Sequence, residues 1–231
     1  MTEIIPGVHD VDLSMVHAYL YQERDRLTLI DTGLADSAMK IVDAIEGIDR
    51  KVTDLRQIIV THYHADHTGS LAELAERSRA QVLAHALDAP VVCGDLPEAE
   101  PDLSELEKKL QTEISKGVRP ARSCPVDRQL IGGDEIDLDG GARVVHVPGH
   151  TAGSIAIYAP KQRALFVGDA AARMPDGRLL SGVFNVDRAL TRASFRHLAE
   201  LDFEAAFFGH GAPMDRDASL EFRRQAERLR D

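Results

Sequence analysis

From Thr61 to Ser70 the chain reads Thr-His-Tyr-His-Ala-Asp-His-Thr-Gly-Ser, so His62, His64, Asp66 and His67 place four metal-binding side chains within six positions. On an extended backbone alternate side chains share a face, which lets His62 and His64 address one cation while Tyr63 points away. Asp66 and His67 follow where the chain bends into a helix and are placed to face a second cation beside the first. With 10 histidines in 231 residues, and aspartate at about one residue in ten, this arrangement should arise by chance roughly twice in a thousand such chains. Accidental clustering is therefore a poor explanation.

Three later segments share one design, in which a short apolar run ends and a glycine-flanked ligand type follows at once. Val144-Val145-His146-Val147 leads into Pro148-Gly149-His150, Ala164-Leu165-Phe166-Val167 into Gly168-Asp169, and Ala205-Ala206-Phe207-Phe208 into Gly209-His210-Gly211. Donors at the ends of several strands converge on one edge of a sheet, where α/β proteins place their sites. The resulting set, His62, His64, Asp66, His67, His150, Asp169 and His210, has no cysteine, whereas a structural zinc site closes with four ligands that are usually cysteine-rich. Seven donors are too many for one ion and suit two ions that keep open positions. The remaining histidines, His9, His17, His85, His146 and His197, lack this context and read as packing or surface residues.

The elements that must position these donors follow from the hydrophobic pattern. Strands are expected at 15–21, 27–31, 57–61, 143–147, 154–159, 164–168 and 204–208. Helices are expected at 36–47, with Met39, Val42 and Ile45 on the buried face, and at 69–78, 103–116, 188–201 and 216–230. Strands mixed with helices argue for a layered α/β fold. Residues 94–102, with two prolines and four acids, open an excursion over 94–123 that reads either as a lid or as one more packed helix.

These residues resemble the metallo-β-lactamase-fold metallo-hydrolase superfamily, whose pattern is HxHxDH followed by His, Asp and His. The match runs from Asp31-Thr32-Gly33 to His210. The resemblance implies an αββα four-layer sandwich, one domain over 1–231, and a dinuclear site of the glyoxalase II or lactonase kind rather than that of a true β-lactamase. It assigns His62, His64 and His150 to one metal and Asp66, His67 and His210 to the other, with Asp169 bridging. Asp31, at a strand end, resembles an aspartate that supports a histidine in the family, and a turn role fits it equally. The implied reaction is cleavage of an ester, thioester or lactone by a metal-bridging hydroxide, with Asp66 orienting it or carrying a proton. Two divalent ions are implied, with zinc the default and iron or manganese also compatible with imidazole and carboxylate. The alternatives are iron redox chemistry of the persulfide dioxygenase kind and phosphodiester cleavage. Ala172 stands where quorum-signal lactonases of the family carry tyrosine.

Composition narrows the partners. A net charge of −11 has the wrong sign for holding a phosphate backbone, and no run of eighteen apolar residues occurs, so a small-molecule substrate is expected and neither nucleic acid nor membrane. The expected location is cytoplasmic. Cys93 and Cys124 have no CxxC spacing and read as two buried, reduced thiols.

Overall fold

The computed structural model describes residues 1–229. The first half of the chain folds in the order β1 (Thr2–Ile5), β2 (Val8–Asp12), β3 (His17–Gln22), β4 (Leu27–Ile30), α1 (Ala38–Glu46), β5 (Leu55–Ile59), α2 (Ala65–Thr68), α3 (Leu71–Ser78), β6 (Gln81–His85) and α4 (Ala89–Val92). It continues through α5 (Glu105–Ile114), β7 (Arg128–Leu130), β8 (Glu135–Ile136), β9 (Ala142–His146), β10 (Ile155–Ala159) and β11 (Ala164–Gly168). The last elements are β12 (Ala172–Arg173), β13 (Leu179–Leu180), α6 (Arg188–Leu198), β14 (Ala205–Phe208) and α7 (Ala218–Arg228). The helix expected at 216–230 thus begins two residues later, and residue 230 lies outside the described residues.

Two sheets carry the fold. The larger has seven strands in the order β1-β2-β3-β4-β5-β6-β7 and the smaller five in the order β14-β11-β10-β9-β8, with β12 and β13 forming a separate hairpin. In the larger sheet β1 to β4 pair antiparallel, whereas β4, β5, β6 and β7 pair parallel through crossovers. Period-two alternation divides the side chains of each strand between two apolar layers. On β3, Ala18 and Leu20 pack with Ile41 and Ile45 of α1 and Leu71 and Leu74 of α3, while Tyr19 and Tyr21 face the smaller sheet. On β11, Phe166 packs inward against Tyr19 and Phe207, while Leu165 and Val167 pack outward with Phe195 and Leu198 of α6 and Phe222 of α7. The layers are therefore helix, sheet, sheet and helix. Each fully buried Phe, Leu or Ile contributes roughly 1.5–3 kcal/mol of transfer free energy to holding them.

Three expectations need correction or completion. Met39 does not share the buried face of α1: it is 50% exposed, and Ala38, Ile41, Val42 and Ile45 are the residues turned inward. No residue of α5 is buried, and Leu106, Leu110 and Ile114 form an apolar stripe open to solvent. A Ser104–Glu107 capping box starts this helix. Its segment is held by a handful of polar links: Asp102 N–H to the Asn185 carbonyl, Arg188 to Glu107, Arg119 to Asp36 and Arg122 to Glu76. Both cysteines are free thiols; Cys124 is buried, as expected, but Cys93 is only half-buried.

Candidate metal centre

All seven expected donors meet at one edge of the sandwich, where β5, β11 and β14 stop and where the turn after β9 returns. Three donor groups form, His62–His64–His150, His62–His67–Asp169 and Asp66–His67–His210, and within each group the ligand atoms lie within 4.8 Å of one another. Asp169 reaches both outer groups: Oδ1 is 3.3 Å from His67 Nε2, while Oδ2 is 3.2 Å from His210 Nε2 and 3.6 Å from His150 Nε2. Asp66 Oδ2 stands 3.3 Å from His210 Nε2. His9, His17, His85, His146 and His197 stay outside. His9 pairs with Gln22, His17 with Asp10 and His85 stacks on His146, whereas His197 is exposed beside Glu200.

Four of the five imidazoles are aimed by what the other nitrogen touches. His150 Nδ1 donates to the Val183 carbonyl at 2.9 Å and His210 Nδ1 to the Met15 carbonyl at 2.8 Å. His67 Nδ1 donates to Asp31 Oδ2 at 2.8 Å, so the support expected of Asp31 is present. Asp31 adopts a left-handed φ of 58° at the end of β4, which turns its carboxylate back over β5. It also accepts the Thr61 N–H and hydroxyl, both at 2.8 Å. The Thr61 oxygen is then left to accept His62 Nδ1–H at 3.1 Å.

With these second nitrogens as donors, His62 Nε2 and His150 Nε2 are bare acceptors only 3.2 Å apart, and each lies within 3.1 Å of His64 Nδ1. Lone pairs crowded this way repel unless a cation, or a proton on His64 Nδ1, sits among them. His67 Nε2 and Asp169 Oδ1 are likewise buried without a well-formed hydrogen bond, 3.3 Å from one another. Crowded nitrogens and orphaned buried atoms both fit a site built for divalent ions.

Electrostatics divides the site in two. Burial holds His62 and His150 below the usual histidine range and pushes His64 down to about 3, so this trio is neutral and ready to coordinate. Asp169 pushes His210 up to about 10, with Asp66 adding a hydrogen bond. Burial also opposes charge on His67, but Asp169, Asp31 and Asp66 outweigh it and hold that ring well above its ordinary value. Although burial works against its charge, His67 and His210 hold Asp66 down to about 2.

Two glycines make this geometry attainable. At Gly149 φ is 130°, and a Cβ would collide with Thr191 near the start of α6, whose first amides are capped by the Asp187 carboxylate. At Gly209 a Cβ would collide with Asp169 Oδ1 and the His67 ring. Gly209→Ala is accordingly expected to fold yet bind fewer ions per chain than the parent, measured by elemental analysis. Full stoichiometry in that variant would contradict the packing described.

Asp88 belongs to the same architecture without being a donor. It precedes α4 and reads locally as a helix cap, but its buried carboxylate accepts instead from Thr151 Oγ1 and Gly153 N–H at 2.7 Å and Tyr63 N–H at 3.3 Å. It ties the loop of His62 and His64 to the loop of His150. Burial pushes its carboxyl up to about 6 despite these donors. Long-range contact alone reveals this role.

A two-sheet α/β sandwich with histidine and carboxylate groups gathered at its strand ends defines a class of proteins, and this chain belongs to it: residues 11–210 match the metallo-β-lactamase superfamily. Among similar proteins is Probable metallo-hydrolase YflN of Bacillus subtilis (strain 168), 30% identical over 237 residues that span 92% of this chain and 86% of that one. The hydroxyacylglutathione hydrolase of Hyphomonas neptunium (strain ATCC 15444) is 28% identical over 173 residues, 74% of this chain and 53% of the hydrolase, so the chain matches about half of that protein. The metallo-β-lactamase family protein TTHA1429 from Thermus thermophilus shares the fold with a TM-score of 0.72 at 22% identity, covering 98% of this chain and 80% of that one.

Proposed function

We propose that this protein is a dinuclear metal-dependent hydrolase that cleaves an ester, thioester or lactone bond of a small molecule. One observation carries the reading: seven donors meet with crowded bare nitrogens and two orphaned buried atoms, an arrangement that two cations would relieve. His62, His64 and His150 would hold one ion, Asp66, His67 and His210 the other, and Asp169 both. Zinc suits this nitrogen-rich set best. Two divalent ions so held would supply a hydroxide at neutral pH and polarise the bond under attack.

The chain's own groups supply the rest. Asp66, only part-buried and held as a carboxylate, would orient the attacking hydroxide or carry a proton to the leaving group. Asp31, Thr61, Val183 and Met15 fix the ring orientations on which the donor geometry depends. The same proposal includes one domain over 1–231 whose 94–123 excursion is a candidate lid, work in the cytoplasm, and no nucleic-acid partner. Among the described residues no helix is long and apolar enough to cross a membrane.

Turnover by the metal-loaded protein across esters, thioesters, lactones and phosphodiesters, with metal content measured alongside, tests this. Two zinc-like ions per chain are expected, with hydrolysis of the ester-type members and its loss in His62→Ala. Activity surviving that substitution, or one iron per chain with oxygen consumption, would overturn the reading.

A further inference from the structure

We propose that the substrate of this site carries an uncharged apolar arm, seated on Met15, Met174 and Phe184 at the rim of the donor cluster, and that polyanionic carrier groups are disfavoured by the acidic 95–102 loop. This inference rests on the hydrolase reading and names its substrate class.

The rim residues are marked by position. Met15 supplies the carbonyl that accepts His210 Nδ1–H. Met174 follows Arg173, whose N–H donates to the His210 carbonyl at 3.0 Å. Phe184 follows Val183, the partner of His150. Met15 and Met174 are 46% and 37% exposed, Phe184 is half-buried, and none of the three joins an apolar core cluster. Large apolar side chains left open beside a polar donor cluster mark a surface that meets a ligand.

Phe184 carries a further sign. Its φ is 53°, a left-handed conformation uncommon for a bulky side chain and concentrated at binding and catalytic sites. The segment is clamped in that state by Val186 N–H on the His150 carbonyl at 3.3 Å and Asp187 N–H on the Gly149 carbonyl at 2.8 Å. The strain is thus imposed by the same backbone that carries His150.

Charge argues against an anionic carrier. Asp95, Glu98, Glu100 and Asp102 stand in a stretch without lysine or arginine. The stretch is anchored at Ala99 N–H to the Tyr63 hydroxyl at 3.2 Å and at Asp102 N–H to the Asn185 carbonyl at 2.9 Å, so it runs between the two sides of the site. Glu98 adjoins Ala99, whose anchor Tyr63 stands between His62 and His64. The nearby cations are engaged: Arg173 donates to the carbonyls of Ala212 and Pro213, and Arg188 to Glu107 and the Asp102 carbonyl. A polyanion approaching the 95–102 loop meets four carboxylates there, with Arg188 already paired to Glu107.

The test uses the metal-loaded enzyme and acetyl to octanoyl thioesters of neutral N-acetylcysteamine, glutathione and coenzyme A. Expected are a rise in kcat/KM of about two- to fourfold per methylene and a preference for the neutral carrier over coenzyme A of about tenfold or more. Phe184→Ala and Met174→Ser, checked for full metal content, should each flatten the chain-length dependence. Hydrolysis without that dependence, or preference for glutathione or coenzyme A, overturns the proposal while leaving the hydrolase reading intact. Calorimetric binding of N-methylalkanamides of rising length reads the rim without turnover. A length increment there, lost in Phe184→Ala, upholds the rim even if no bond is cleaved, and its absence sinks it.

Discussion

Replacing Asp169 by asparagine is expected to lower kcat/KM by on the order of a thousandfold or more while leaving the fold in place. The substitution keeps shape and volume, so the buried position on the turn after β11 stays filled. It removes the one carboxylate whose oxygens face His67, His210 and His150 together, at 3.3, 3.2 and 3.6 Å. An amide nitrogen at either oxygen position is a donor and no ligand. Ion stoichiometry should fall with the rate, while far-ultraviolet circular dichroism stays that of the parent. A variant with both ions and parental turnover would show that Asp169 is not shared between the groups.

Metal uptake should depend on pH at one donor group and hardly at the other. Cation binding requires a bare imidazole nitrogen. His62, His64 and His150 are neutral at pH 7 because burial lowers each of them, so that trio should fill without proton release. His210 is held up to about 10, chiefly by Asp169, and His67 is also raised, so the group with Asp66 must discard protons to fill. Its apparent affinity should climb at least about tenfold per pH unit from pH 6 toward 9, one decade for each displaced proton. Calorimetric titrations in buffers of different protonation heat would separate the two events. Equal proton release at both would contradict the assignment. The sign for the metal-free chain is opposite: His210 is raised above its unfolded value near 6.5, so its ion pairing stabilises fully below that pH and is lost as pH climbs through about 10.

The donors were legible in the sequence because each is announced locally, by HxHxDH or by glycine beside a ligand type after an apolar run. The layered class followed from strands such as 164–168 and helices such as 188–201, whose periodicities agree with their burial. What escaped is set by distant contacts. β2, Val8–Asp12, has a broken alternation because His9 and Asp10 are buried while bonded to Gln22 and His17 across the sheet. The one-turn helix α2, which carries Asp66 and His67, is too short to show periodicity. Met39 kept helical spacing yet lies on the solvent side, since three-residue steps drift around a helix and Ile41 holds the centre of the apolar face. Asp88 was not singled out in the sequence, because its partners arrive from residues 63 and 151–153.

The donors at β5 and those at β9, β11 and β14 come from different sheets and from distant stretches of the chain. During synthesis His62, His64 and His67 leave the ribosome long before His150, and His210 emerges after β14. A nascent chain can therefore offer only an incomplete cradle, and on the dinuclear reading capture of both ions would follow assembly of the sandwich. The metals available to the finished protein, rather than those met during translation, would then decide what it carries.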